Sequence, residues 1–181
     1  MKTPAIFLDR DGILIDVVFQ AGVLAVPYNL DQVLLRPGVS EALVALKAAG
    51  FQLIVVTNQP NIASGEVSKE SVEEIHAFLR KQFPQLDAIY YCPHQRSDGC
   101  GCKKPMPGMV EQAAKDRGVD VSKSFIIGDR KGDIDMGLST GMRGTILIPS
   151  EATFWRTDEK PEPHFQAENI EKAVEYILSH P

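Results

Sequence analysis

Short apolar runs alternate with longer stretches of helical periodicity along this chain. Ala5-Ile6-Phe7-Leu8, Leu53-Ile54-Val55-Val56, Ala88-Ile89-Tyr90-Tyr91, Ser124-Phe125-Ile126-Ile127 and Thr145-Ile146-Leu147-Ile148 read as strands of the kind that are covered on both faces. Between them the spacing predicts helices over Val39 to Ala49, Lys69 to Phe83, Gly108 to Arg117, Asp133 to Ser139 and Ile170 to Leu178. The punctuation agrees: Pro37 and Gly50 bracket the first helix, Ser68 is placed to cap the second and Pro84 to stop it, and Gly118 closes the third. Buried strands separated by helices imply an α/β fold with a doubly wound, Rossmann-like parallel sheet, whose ligands bind beyond the carboxyl ends of the strands. Gln20 to Leu35 and Glu151 to Pro163 show no clear period. The first is expected to be a loop bordering the active site, the second a surface connection.

With 181 residues the chain is expected to form one domain, 1–181, with one active site. A formal net charge of -5 provides no basic field for nucleic acid. No apolar run nears the roughly 20 residues that span a bilayer, and Met1-Lys2-Thr3-Pro4 leads into a strand instead of a signal sequence. A cytoplasmic protein with neither membrane nor nucleic-acid partners is expected, acting as a monomer. All three cysteines lie between Cys92 and Cys102, which suits a local metal site better than a disulfide framework.

The chemistry collects at strand ends. The first strand runs into Asp9-Arg10-Asp11-Gly12, and a second acidic pair, Asp129 and Asp133, follows Ile127-Gly128. Either pair alone is also what a turn would use. Together, at the ends of two strands of one sheet, they suit a shared hard cation such as Mg²⁺. Thr57-Asn58-Gln59 at a third strand end and Lys103-Lys104 before a helix add a hydroxyl, amides and cations. Such a set serves the peripheral oxygens of a phosphoryl group.

These four segments, in this order, resemble the haloacid dehalogenase superfamily of aspartate-nucleophile phosphatases over Ala5 to about Ile148. The resemblance implies catalytic roles for Asp9 as nucleophile, Asp11 as general acid and base, Thr57 and Lys104. It implies Mg²⁺ held by Asp9, Asp11 (through its backbone carbonyl) and Asp129, with Asp133 acting less directly. Arg10, Asn58, Gln59, Lys103 and Arg130 fall in or beside the same motifs and are expected to contact substrate. Within the superfamily, Tyr91-Cys92-Pro93-His94 with Cys100-Gly101-Cys102-Lys103-Lys104-Pro105 resembles a zinc-loop subgroup, which includes heptose bisphosphate and histidinol-phosphate phosphatases. Cys92, His94, Cys100 and Cys102 then imply a closed, structural Zn²⁺ site spanning 92–102.

The expected activity is hydrolysis of a small phosphate ester, a sugar phosphate, with D-glycero-D-manno-heptose 1,7-bisphosphate first and histidinol phosphate second. A non-catalytic phospho-accepting or binding domain is the contrasting class. Ile13, Pro60, Asn61, Ser64 and Lys103 depart from the heptose-phosphatase pattern, and a lysine at 103 offers a point charge in place of an arginine fork. No long insertion interrupts the motifs, so no large cap domain is expected.

Overall fold

The structure, a computed structural model, describes residues 2–20, 22–153 and 160–180. In chain order its elements are β1 (Ala5–Leu8), β2 (Val18–Gln20), β3 (Val23–Ala25), α1 (Val39–Ala48), β4 (Gln52–Asn58), α2 (Lys69–Gln82) and β5 (Ala88–Cys92). They continue with α3 (Gly108–Arg117), β6 (Phe125–Gly128), α4 (Lys131–Ser139), β7 (Gly144–Leu147), β8 (Phe165–Gln166) and α5 (Ile170–Ser179).

Six strands form one sheet in the order β5-β4-β1-β6-β7-β8, and every pairing in it is parallel. Strand side chains alternate between faces, so β1 serves two cores at once. Ile6 and Leu8 join Leu43, Leu46, Leu79 and Ile177 under α1, α2 and α5. Ala5 and Phe7 join Met109, Val110 and Met136 under α3 and α4. All four β1 residues are fully buried, and each large one contributes roughly 1.5–3 kcal/mol by leaving water. That double burial explains the unbroken apolar runs. It also seats the first carboxylate motif on a strand flanked on both sides.

Ser68 caps α2 as its position predicts, its Oγ accepting from the Ser71 N–H at 3.0 Å. α4 begins two residues earlier than expected, because the Asp133 carboxylate accepts the Arg130 N–H at 3.1 Å and closes the first turn. Two departures are larger. The stretch Gln20 to Leu35, expected as plain loop, contributes to an antiparallel hairpin, β2 with β3, and a single turn of 3-10 helix at Leu30–Gln32. β8, two residues long, pairs with β7 just after Pro163. Of the connection expected over Glu151 to Pro163, residues 154–159 lie outside the described residues. Among the described residues no helix is long and apolar enough to cross a membrane.

Candidate active site

The carboxyl ends of β1 and β6 are neighbours in the sheet, and this adjacency assembles the acidic cluster. Asp9 follows β1, Asp129 follows β6, and Asp133 sits in the first turn of α4. All three are buried, and each offers a carboxylate oxygen within 4.8 Å of the other two. Two glycines make the approach possible. A Cβ at Gly12, where φ is 89°, would overlap the Asp129 carboxylate, and a Cβ at Gly128 would overlap Asp133. Lys104, from the loop before α3, reaches in with its Nζ 2.8 Å from Asp9 Oδ1 and 2.6 Å from Asp133 Oδ1. Its third donation goes to the Val56 carbonyl at 2.9 Å.

One buried ammonium does not neutralise three buried carboxylates. Burial and the nearby Asp133 push the Asp9 carboxyl from its ordinary 3.8 to about 7, against the pull of Lys104. Asp129 is raised well above the usual range by burial, Asp9 and Asp133. Burial works against the charge on Lys104, but Asp133 and Asp9 outweigh it and hold the amine protonated. Asp129 Oδ2 accepts from the Ser150 hydroxyl, while its buried Oδ1 has no hydrogen-bond partner among the described residues. An excess of hard oxygen donors and an orphaned carboxylate oxygen fit a divalent cation of the Mg²⁺ type. Ser150, just past β7, was not singled out from the sequence. The strand end beside β6 was the signal that could have found it.

Asp9 is anchored on one side only. Its Oδ1 takes both the Lys104 contact and the Arg10 backbone N–H at 2.7 Å, whereas Oδ2 accepts no hydrogen bond among the described residues. Asp11 lies beside it but outside the acidic trio. Its carboxylate accepts from Arg10 Nε at 3.1 and 3.2 Å, from Arg10 NH2 at 3.0 Å and from Gln59 Nε2 at 2.9 Å. Thr57 Oγ1 is 3.5 Å away and accepts from Gln59 Nε2 at 2.8 Å.

Two expected substrate contacts are therefore corrected. Arg10 and Gln59 have no solvent exposure, and neither lines the cleft; their donors are spent on Asp11, Thr57 and His76. Asn58 does border the cleft, yet its amide faces the lysine loop. It accepts the Lys104 N–H at 3.0 Å and donates to the Lys104 carbonyl at 3.3 Å. Lys103 and Arg130 line the cleft, Lys103 donating to the His94 carbonyl at 3.4 Å.

The cleft over these groups has a volume of about 810 Å³, room for a sugar-sized ligand. Asp9, Asp11, Thr57, Lys104 and Asp133 lie along it. The hairpin supplies an apolar wall, Val23 to Val26, and Tyr28 with Asn61 and Glu66 extends it. Tyr28 donates to Glu66 Oε2 at 2.6 Å and accepts from Asn61 at 3.0 Å. Lys103, Arg130 and Arg96 bring positive charge to the cleft, while Lys131, also on its lining, is paired with Asp135 at 2.7 Å.

Beyond β5, Cys92, His94, Cys100 and Cys102 point at one another. Five of their six donor–donor separations fall between 3.1 and 3.6 Å, with His94 presenting Nδ1. A tetrahedral Zn²⁺ with bonds of about 2.3 Å sets sulfur donors about 3.8 Å apart, so the four atoms are arranged as such a site requires. Burial pushes the Cys92 thiol up to about 12. At Cys100 burial acts the same way, but the N–H groups of Cys102 and Lys103 outweigh it and bring the thiol down to about 6.

A strand-end carboxylate cluster with a buried lysine, beside a cleft that also carries basic side chains, suits a phosphate-ester hydrolase. The haloacid dehalogenase-like hydrolase family model matches residues 5–141, and the chain belongs to that family; it is a phosphatase. Among curated relatives, the D-glycero-beta-D-manno-heptose-1,7-bisphosphate 7-phosphatase of Pasteurella multocida is 35% identical over 177 residues, 92% of each chain. The histidine biosynthesis bifunctional protein HisB of Blochmanniella floridana is 34% identical over 151 residues, covering 80% of this chain and 41% of that one. Among solved structures, D,D-heptose 1.7-bisphosphate phosphatase from B. bronchiseptica, complexed with magnesium and phosphate, superposes with a TM-score of 0.82. It is 26% identical, and the match covers 98% of this chain and 99% of that one.

Proposed function

We propose that residues 1–181 act as one cytoplasmic, monomeric phosphatase domain that removes the 7-phosphate of D-glycero-D-manno-heptose 1,7-bisphosphate. The observation that carries the catalytic reading is Asp9 Oδ2, which accepts no hydrogen bond among the described residues, on a cleft-lining carboxylate that belongs to the acidic trio and is held by the buried Lys104. The similarity to heptose 1,7-bisphosphate 7-phosphatases over nearly the whole chain supports the substrate.

In this reading Asp9 Oδ2 attacks phosphorus, the bond to the ester oxygen breaks, and Asp11 gives that oxygen its proton. Water then attacks the aspartyl phosphate, Asp11 takes its proton, and Asp9 and inorganic phosphate are released. Lys104 holds Asp9 and offsets its charge, and Asn58 holds the lysine loop. Asp9, Asp129 and the Asp11 carbonyl would hold Mg²⁺, with Asp133 contributing less directly as counter-ion of Lys104. Bound there, the ion supplies charge neutralisation between the carboxylate and the phosphate. Thr57, Lys103 and Arg130 would serve the phosphoryl oxygens and the second phosphate. Cys92, His94, Cys100 and Cys102 would hold a structural Zn²⁺ that orders the loop carrying both lysines.

Histidinol phosphate is the second reading, favoured by the similarity to HisB. Phosphate release measured side by side on both anomers of the heptose bisphosphate and on histidinol phosphate separates the two. A higher kcat/KM on histidinol phosphate overturns the substrate assignment. Turnover surviving Asp9→Asn overturns the mechanism.

A further inference from the structure

We propose that His76 is a positioning residue which, acting through Arg10, aims the Asp11 carboxylate at the leaving-group oxygen. The inference rests on the acid/base role given to Asp11. Arg10 is fully buried, and a buried guanidinium is tolerated only when its donors are matched. Nε and NH2 are spent on Asp11. NH1 lies 3.3 Å from Nε2 of His76, on the inner face of α2.

A guanidinium can only donate, so Nε2 must accept and the ring proton must sit on Nδ1. The imidazole is neutral by this geometry. Burial, Arg10 and Arg80 all oppose its protonation and push its pKa down to about 3, which agrees. Nδ1 has no hydrogen-bond partner among the described residues; Glu73 Oε2 is 3.9 Å away, and the Tyr91 ring centroid is 5.2 Å from that of His76. A fully buried, unsatisfied N–H costs a fold roughly 1–3 kcal/mol. A residue chosen only to fill the core would avoid that cost, so the histidine is explained by its other nitrogen.

Nε2 fixes the plane of the Arg10 guanidinium, and the guanidinium fixes both Asp11 oxygens. Without the acceptor, NH1 is left unpaired and the clamp can turn. Gln59 would still hold Asp11 at 2.9 Å, so the loss is partial.

Leaving-group chemistry separates positioning from mere support. An alkyl phosphate needs a proton on its departing oxygen, whereas nitrophenolate leaves without one. In His76→Leu, kcat/KM on glycerol 2-phosphate is expected to fall on the order of 10- to 100-fold, part of the full effect of a general acid. On nitrophenyl phosphate the change should stay under about 3-fold. His76→Gln, whose carbonyl can accept from Arg10, should recover most of the difference. Equal losses on both esters, no loss on either, or a glutamine variant no better than leucine overturn the inference. Should the leucine protein not stay folded, His76→Met carries the same comparison. Asp11→Asn is the reference. If it too spares the alkyl-to-aryl ratio, the acid role itself is wrong; if it lowers the ratio and His76→Leu does not, only the role of His76 fails.

Discussion

Asp129→Asn removes one charge from the trio while keeping the shape of the side chain and an oxygen to accept from Ser150. At separations within 4.8 Å and an effective dielectric of about 20, each carboxylate pair repels by roughly 3–4 kcal/mol. Lys104 offsets this for Asp9 and Asp133, but it has no contact with Asp129. Protonation limits the strain, because Asp9 and Asp129 both titrate above their ordinary range. For carboxyls raised in the folded state, the stabilising contribution is complete below the unfolded value and is lost as pH rises through the folded one. For Asp9 that window runs from 3.8 to about 7, a span worth at most roughly 4 kcal/mol.

Urea unfolding in magnesium-free buffer at about pH 8 should therefore find Asp129→Asn more stable than the wild type by about 2–4 kcal/mol. Near pH 4 the two proteins should unfold together. Mg²⁺ should close the gap by about 2.7 kcal/mol at a hundredfold excess over Kd and reverse it by about a thousandfold excess, where the wild type gains about 4.1 kcal/mol and the variant little. A variant less stable than wild type at high pH without metal would refute the argument that uncompensated charge strains the site. Equal stabilisation of both proteins by Mg²⁺ would remove Asp129 from the ligand set.

Lys104→Met should abolish measurable turnover and cost about 3–5 kcal/mol in metal-free protein, because it strands Asp9 and Asp133; chemical denaturation and phosphate release check the two halves. Elemental analysis of protein purified without added metal should find one Zn²⁺ per chain. Cys100→Ser should lose that metal and, by loosening the loop ahead of Lys103 and Lys104, lower kcat/KM at least tenfold.

The parts of the fold that were legible in the sequence are those buried on two faces. β1, β4 and β6 declare themselves through Phe7, Val55 and Ile126, because a strand covered on both sides has no polar position to blur the pattern. The hairpin did not. β2 and β3 are three residues each, too short to establish a period, and Phe19, an apolar residue 57% exposed, marks no buried face. At the site, the acidic motifs are read correctly as neighbours because adjacent parallel strands must bring their ends together. Direction is another matter. Arg10 sits between two acids and carries a charge suited to phosphate, yet it turns into the protein, toward a histidine on a helix 66 positions away. Gln59 likewise turns inward. Sequence order cannot distinguish a donor that faces ligand from one that faces its neighbours.

The paired bonds between Asn58 and the backbone of Lys104 act as a rivet between the second strand of the site and the lysine segment. The span from His94 to Cys100 lies upstream of that joint. Insertions or deletions there that keep His94 and Cys100 in the four-donor cluster can lengthen or shorten the rim without altering the reach of the ammonium group. Rim and reaction centre are thus separable, and a change of ligand preference need not retune the step that breaks the ester.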